Sequence, residues 1–231
     1  MKTIGLLGGM SWESTVTYYQ IINEEVKRRL GGLHSAKCLL YSVDFDEIEN
    51  YQRNNEWPES GRVLRQAAQS LEKAGADFIL ICTNTMHKVA EQIQAGIGIP
   101  LLHIADLTAA KVLEAGLQTI GLLGTIYTME EDFYKGRLEA KGLRILTPPQ
   151  EAREIVNKII FQELCLGIIK EDSRVKLQEI IKDLVEAGAE GIILGCTEIG
   201  LLVKPKDSPV PLFDTTVIHA LGAVDYALQE E

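Results

Sequence analysis

The chain is poor in the features that usually announce a function. It has four cysteines in 231 residues, none in a Cys-x-x-Cys pair or at Cys/His metal spacing. A disulfide framework or zinc site is therefore not expected, and the thiols read as reduced, as in a cytoplasmic protein. No stretch approaches the about 18 consecutive apolar residues of a membrane span. Basic residues are outnumbered, 23 Lys and Arg against 33 Asp and Glu, for a net charge of −10. That balance argues against a nucleic-acid or anionic-membrane partner. Met1-Lys-Thr-Ile-Gly turns glycine-rich without the apolar core of a signal peptide. Gly5-Leu-Leu-Gly8-Gly9 lacks both the GxGxxG spacing and a P-loop lysine, which argues against a nucleotide site. What remains is an ordinary soluble composition, 46% hydrophobic and 24% charged, able to bury a core.

Two stretches organise that chain. Gly191-Ile-Ile-Leu-Gly-Cys-Thr-Glu198 is an apolar run that stops abruptly at Cys196, Thr197 and Glu198. Such a run reads as a buried parallel strand, and ligands of open α/β sheets bind just beyond strand carboxyl ends. Ala74-Gly-Ala-Asp-Phe-Ile-Leu-Ile-Cys-Thr-Asn-Thr85 has the same shape, and aligning its Ala-Gly-Ala on residues 187–189 sets Thr83 opposite Cys196. Other landmarks repeat too. Thr119-Ile-Gly-Leu-Leu-Gly-Thr125 echoes Thr3-Ile-Gly-Leu-Leu-Gly-Gly9 at an offset of 116 (119 minus 3). The Ala-Gly-Ala segments are offset by 113 (187 minus 74), and Val210-Pro-Leu-Phe follows Ile99-Pro-Leu-Leu by 111 (210 minus 99).

A near-constant offset means duplicated architecture. Strands alternating with helices predict α/β topology: two similar domains, each a parallel sheet flanked by helices. The expected boundaries are 1–104, completed by 210–231, and 105–209. A pseudo-two-fold relation would bring Thr83 and Cys196 to one ligand from opposite sides of a cleft. Along the chain, a helix is expected to about Leu30, stopped by Gly31-Gly32. Strand 37–43, a polar connection over 51–57 and a helix over 61–74 should follow. A helix over 86–95, a short strand over 99–104 and a helix to Ala115 complete the first part.

Proton-handling groups on opposite faces of a small molecule suit the inversion of a carbon stereocentre. One removes the α-proton and the other protonates the opposite face, while the site stabilises the carbanion-like transition state. A cysteine thiolate is a competent base, with a free pKa near ~8.5. Asn84-Thr85 and Thr197-Glu198, at helix starts, offer backbone N–H groups that suit a substrate carboxylate. Arg53 offers a planar fork to a side-chain carboxylate, or is a solvated loop residue. Glu198 either orients the substrate ammonium or caps a helix. His87 and His219 either tune acidity or are structural, and Cys38, Cys82 and Cys165 read as core or helix-face residues.

Gly-Gly-Met-Ser-Trp-Glu-Ser-Thr (8–15), Thr-Asn-Thr-Met-His (83–87), Gly-Cys-Thr-Glu (195–198) and Asp-Thr-Thr-Val-Ile-His-Ala (214–220) together resemble the aspartate/glutamate racemase family. Within it they look most like the enterobacterial broad-specificity amino-acid racemases. The resemblance implies α-proton exchange on a small amino acid without pyridoxal phosphate or any other cofactor, and commonly a homodimer. It adds Met10, Gln52 and the 83–85 turn to the substrate pocket. Two positions depart from the family. Cys-Asn-Thr is usual where this chain has Thr83-Asn84-Thr85, with Cys82 one place early and, by strand alternation, pointing away. Leu166 stands where many relatives are expected to carry lysine. A Thr83/Cys196 pair implies unequal half-reactions, with Cys196 abstracting and Thr83 protonating the other face. Rival readings are a related Cys-dependent isomerase or decarboxylase (of maleate isomerase, arylmalonate decarboxylase or hydantoin racemase type) and a two-lobed binding protein without catalysis.

Overall fold

The computed structural model describes residues 1–229. The chain forms two compact units, one of Met1–His103 with the segment from His219 onward, the other of Ile104–Ile218. In the first, β1 (Ile4–Gly8) lies between β2 (Cys38–Ser42) and β3 (Phe78–Ile81), all parallel. Leu101 adds a single parallel bridge to Ile79. β1 and β3 are buried at every position, which explains their unbroken apolar lettering. The helix Trp12–Leu30 contributes Tyr18, Ile22 and Val26 to a core with Ile4, Leu6, Phe78 and Leu80, joined by Ala220, Ala223, Val224 and Ala227 near the C-terminus. The helix Trp57–Lys73 packs on β1 and β2.

The second unit carries β4 (Thr119–Gly124), β5 (Arg144–Leu146), β6 (Gly191–Gly195) and β7 (Leu212–Asp214) in the parallel order β5-β4-β6-β7. This is the order of the first sheet, with β7 where the first unit has only the Leu101 bridge. The repeated letters occupy equivalent places. Ile79 faces Leu101 as Ile192 faces Leu212, in the Ile-Pro-Leu-Leu and Val-Pro-Leu-Phe segments respectively.

Several expected boundaries shift for identifiable reasons. Residues 51–53, expected as a polar connection, are the last turn of a helix, Phe45–Arg53. Asp44 caps it, accepting from the Asp46 N–H at 3.2 Å. Its inner face is Ile48 and Gln52, and a buried glutamine is invisible to apolar periodicity. The following helix starts at Trp57, with Pro58 in its first turn, not at Gly61. Segment 85–94 is a 3-10 turn followed by the short helix Ala90–Gln94. Helix already begins at Ile104, inside the expected strand. Residues 210–214 belong to the second sheet, because β7 pairs with β6, and the unit boundary falls after Ile218.

The turn after β1 shapes the first candidate site. Gly9 takes φ +94°, and a side chain there would collide with the Val43 backbone. Its N–H donates to Thr15 Oγ1 at 2.9 Å, and the Thr15 hydroxyl donates to the Ser11 carbonyl at 2.8 Å. Gly8 leaves the room that Thr15 fills. Gly9→Ala should destabilise the chain by about 2 kcal/mol or more, since it adds both a strained φ and a backbone clash. Urea denaturation against the parent chain checks this, and an unchanged midpoint would contradict it.

Candidate active site

The first group of site residues sits at the carboxyl ends of β1 and β3. Met10, Gln52, Asn84 and Thr85 are buried, while Thr83 is half-buried. Ser14, in the first turn of helix Trp12–Leu30, donates to the Cys82 carbonyl at 3.1 Å, tying that helix start to the end of β3. Cys82 itself is fully buried in the core of the first unit, where desolvation pushes its thiol far up. Gln52 donates from Nε2 to Met86 Sδ at 3.0 Å, so the glutamine and the turn after Thr83 touch. Arg53, one residue on, lies on the exposed side of its helix. Its guanidinium pairs with Glu49 and donates to Asn50 Oδ1 at 3.2 Å. The structure thus gives Arg53 carboxylate partnership within its own helix.

Behind the Thr83 turn lies a buried cluster of imidazoles. His87 Nδ1 is 2.8 Å from the Thr83 carbonyl. The His87 ring stands 4.5 Å from that of His103 and 5.7 Å from that of His219, centroid to centroid. A carbonyl can only accept, so His87 carries its hydrogen on Nδ1. The same rule puts the His219 hydrogen on Nε2, which donates to the Leu102 carbonyl at 2.9 Å. His219 Nδ1 is then the acceptor for the Tyr18 hydroxyl at 2.8 Å. Sequence reading passed over Tyr18 and His103. His103 closes the Ile-Pro-Leu-Leu segment, so the strand-end rule that found Thr83 could have found it.

The second group is compact. Cys196, Thr197 and Glu198 follow β6, and all three are buried, Cys196 being 7% and Glu198 3% exposed. The Cys196 thiol donates to Glu198 Oε2 at 2.9 Å, and the Thr197 hydroxyl donates to the same oxygen at 2.7 Å. Burial pushes the thiol well above its ordinary pKa, the negative charge of Glu198 adds to this, and Cys165 adds a smaller push. The Glu198 backbone N–H works in the opposite direction. The helix that follows, Ile199–Leu202, is a single turn with little dipole to offer. Leu166 is exposed on the 3-10 turn that also carries Cys165. Among the described residues, no three or more His, Cys, Asp or Glu side chains are grouped to hold a metal ion. No helix among them is long and apolar enough to cross a membrane.

Comparison with known proteins shows the family of the chain. Residues 7–223 match the family described as Asp/Glu/hydantoin racemase. The crystal structure of a candidate Asp/Glu racemase from Yersinia pestis is 58% identical, with a TM-score of 0.93, covering 99% of this chain and 100% of its own. An aspartate racemase homologue from Pyrococcus horikoshii OT3 is 36% identical, with a TM-score of 0.84 and coverage of 99% and 100%. A broad-specificity amino-acid racemase of Bacillus subtilis is 23% identical over 238 residues, 96% of each chain.

The histidine cluster makes stability depend on acid. Burial lowers His219 to about 4 and holds His87 well below its ordinary value, with His103 and His219 adding to the effect on His87. Unfolded histidine titrates near ~6.5, so below that pH the unfolded chain binds more protons than the folded one. Stability is therefore full above about pH 6.5 and falls as pH drops toward 4, by about 3 kcal/mol for His219 alone. Thermal melts from pH 7.5 to 4 should show this decline. His219→Gln, which cannot take up the proton, should melt lower at pH 7.5 and lose less on acidification; an equal loss would exclude His219 as a source.

Proposed function

The chain belongs to the Asp/Glu/hydantoin racemase family, and on that footing we propose that it is a pyridoxal-phosphate-independent racemase of aspartate, glutamate or related small polar amino acids. The observation that carries the reading is the Cys196 thiol, buried at the end of β6 and hydrogen-bonded to Glu198. Cys196 exchanges the α-proton on one face of the substrate. Inversion needs a second proton donor on the other face, and Thr83 is that group. A hydroxyl is a far weaker base than a thiolate, so Thr83 serves as donor and the two half-reactions are unequal. The turn Asn84-Thr85 and the N–H groups of Thr197 and Glu198 receive the substrate α-carboxylate. Met10 and Gln52 line the pocket, and Arg53 exchanges Glu49 for the substrate's side-chain carboxylate.

The L and D forms have equal free energy, so kcat/KM is the same in both directions, and the inequality must be read from solvent exchange. Proton NMR in D₂O of L-Asp, D-Asp, L-Glu and D-Glu should show loss of the α-proton signal that Cys196→Ala abolishes. Thr83→Ala should slow racemisation by about 100-fold or more. It should still exchange the α-proton of one enantiomer without inverting it. Equal exchange of both enantiomers by Thr83→Ala would sink the asymmetric pair. The single thiol of the site lends weight to a rival, a Cys-dependent decarboxylase or isomerase with one protonation site. Retained one-enantiomer exchange without inversion in the parent chain would favour it.

The protein works as a cytoplasmic homodimer in this reading. Its four cysteines are all free, as a reducing compartment would keep them. Trp12, Val16 and Tyr19, exposed at 64%, 52% and 54%, form a stripe at helical spacing on Trp12–Leu30. A second copy presenting the same stripe would cover it in a two-fold contact. Val16→Glu should shift the parent dimer to monomer in sedimentation velocity; a monomeric parent would refute the contact.

A further inference from the structure

β2 lies at the edge of the first sheet and pairs on one side only, with β1. Its counterpart in the second sheet, β5, is also an edge strand, and it is guarded. It is 3 residues long, opens on the exposed Arg144 and is followed closely by Pro148 and Pro149. Charge and proline at such places keep further strands from adding on. β2 has neither. Cys38-Leu-Leu-Tyr-Ser42 carries no charge and no proline, and Leu40 and Tyr41 are exposed at 52% and 42%.

The backbone of β2 is as open as its side chains. The Lys37 carbonyl accepts from Ile4 N–H at 2.8 Å, and Val43 N–H donates to the Gly8 carbonyl at 3.0 Å. Alternation along the strand then turns the N–H and C=O groups of Cys38, Leu40 and Ser42 away from β1, out of the sheet edge. Among the described residues no hydrogen bond occupies them. Cys38 packs on the core cluster of Ile4, Tyr18 and Ile22, so Leu40 stands on the face that helix Trp12–Leu30 covers. That helix turns its Trp12, Val16 and Tyr19 stripe to the β2 side. Asn23, one turn beyond Tyr19, accepts from Ala36 N–H at 3.0 Å, just ahead of β2. Leu40 thus continues the stripe.

We propose that β2 pairs antiparallel with β2 of a second copy about a two-fold axis at Leu40, joining the two sheets into one. The proposal rests on the homodimer reading above and adds a strand ladder to its helix contact. In this register Leu40 faces its own counterpart and Cys38 faces Ser42. Each pair exchanges N–H and C=O, so every outward group of the edge finds a partner. On the opposite face Tyr41 packs on the other copy's Leu39. Charge agrees with the direction. Lys37 precedes β2 and Asp44 follows it, both exposed, so antiparallel pairing sets basic end against acidic end. Parallel pairing would set like against like. A foreign peptide would meet the same edge, but a second copy also covers the helix stripe by symmetry.

Leu40→Pro removes only an outward N–H, so β2 keeps its ladder to β1. In sedimentation velocity the parent should be a dimer. Leu40→Pro, shown folded by circular dichroism, should be a monomer at the same concentration, and so should Leu40→Lys. Amide exchange by NMR needs no variant: in the parent, Leu40 and Ser42 should exchange about 100-fold faster after dilution to monomer. Leu40→Cys oxidised with copper phenanthroline should run as a covalent dimer, because facing residues of a ladder lie within disulfide reach, while the parent stays unlinked. A dimer that Leu40→Pro and Leu40→Lys leave intact, with exchange at Leu40 unmoved by dilution, would overturn the strand pairing and leave the helix contact standing. If Leu40→Pro failed to fold, exchange in the parent would decide. A monomeric parent would end the dimer reading, and the strand pairing with it.

Discussion

Burial of the central strands on both faces is the constraint on which the structure depends. β1, β3, β4 and β6 run through cores that admit almost nothing polar, so their carboxyl ends are the first places where the chain can present chemistry. Thr83 and Cys196 each stand within two residues of such an end. The local devices around them follow from the same pressure. Gly8 and Gly9 let the backbone turn against Val43 and Thr15, and Ser14 takes up the Cys82 carbonyl that strand pairing leaves over. Thr215 does the corresponding work in the second unit, donating to the Leu194 carbonyl at 2.8 Å.

Much of this was legible because duplication writes the same signal twice. The offsets of 116, 113 and 111 residues mark strands that occupy matching places in two sheets of the same order. What escaped reading was polar and buried together. Gln52 hid a helix by standing where an apolar residue would have completed its pattern. His103 hid in the tail of an apolar segment, and the Tyr18–His219 contact joins residues 201 positions apart, which no local pattern encodes. The Cys-Thr-Glu letters pointed to the second site, but not to the fact that both donors would converge on one carboxylate oxygen. That is a matter of rotamers.

Electrostatics separates the two groups. The Thr83 turn is backed by His87 and His219, which burial holds toward the uncharged form. The Cys196 turn is backed by a carboxylate, whose Oε2 accepts from the thiol.

The protonated state of Cys196 also bears on durability. Peroxide attacks thiolates far faster than thiols, and the first step to sulfenic acid follows thiolate character and exposure. A sulfur that is 7% exposed, desolvated, and hydrogen-bonded to an anion offers little of either. Cys196 is thereby shielded from the oxidation that overtakes more acidic and more exposed thiols, and this sulfur should stay intact in aerated solution without a protecting reductant.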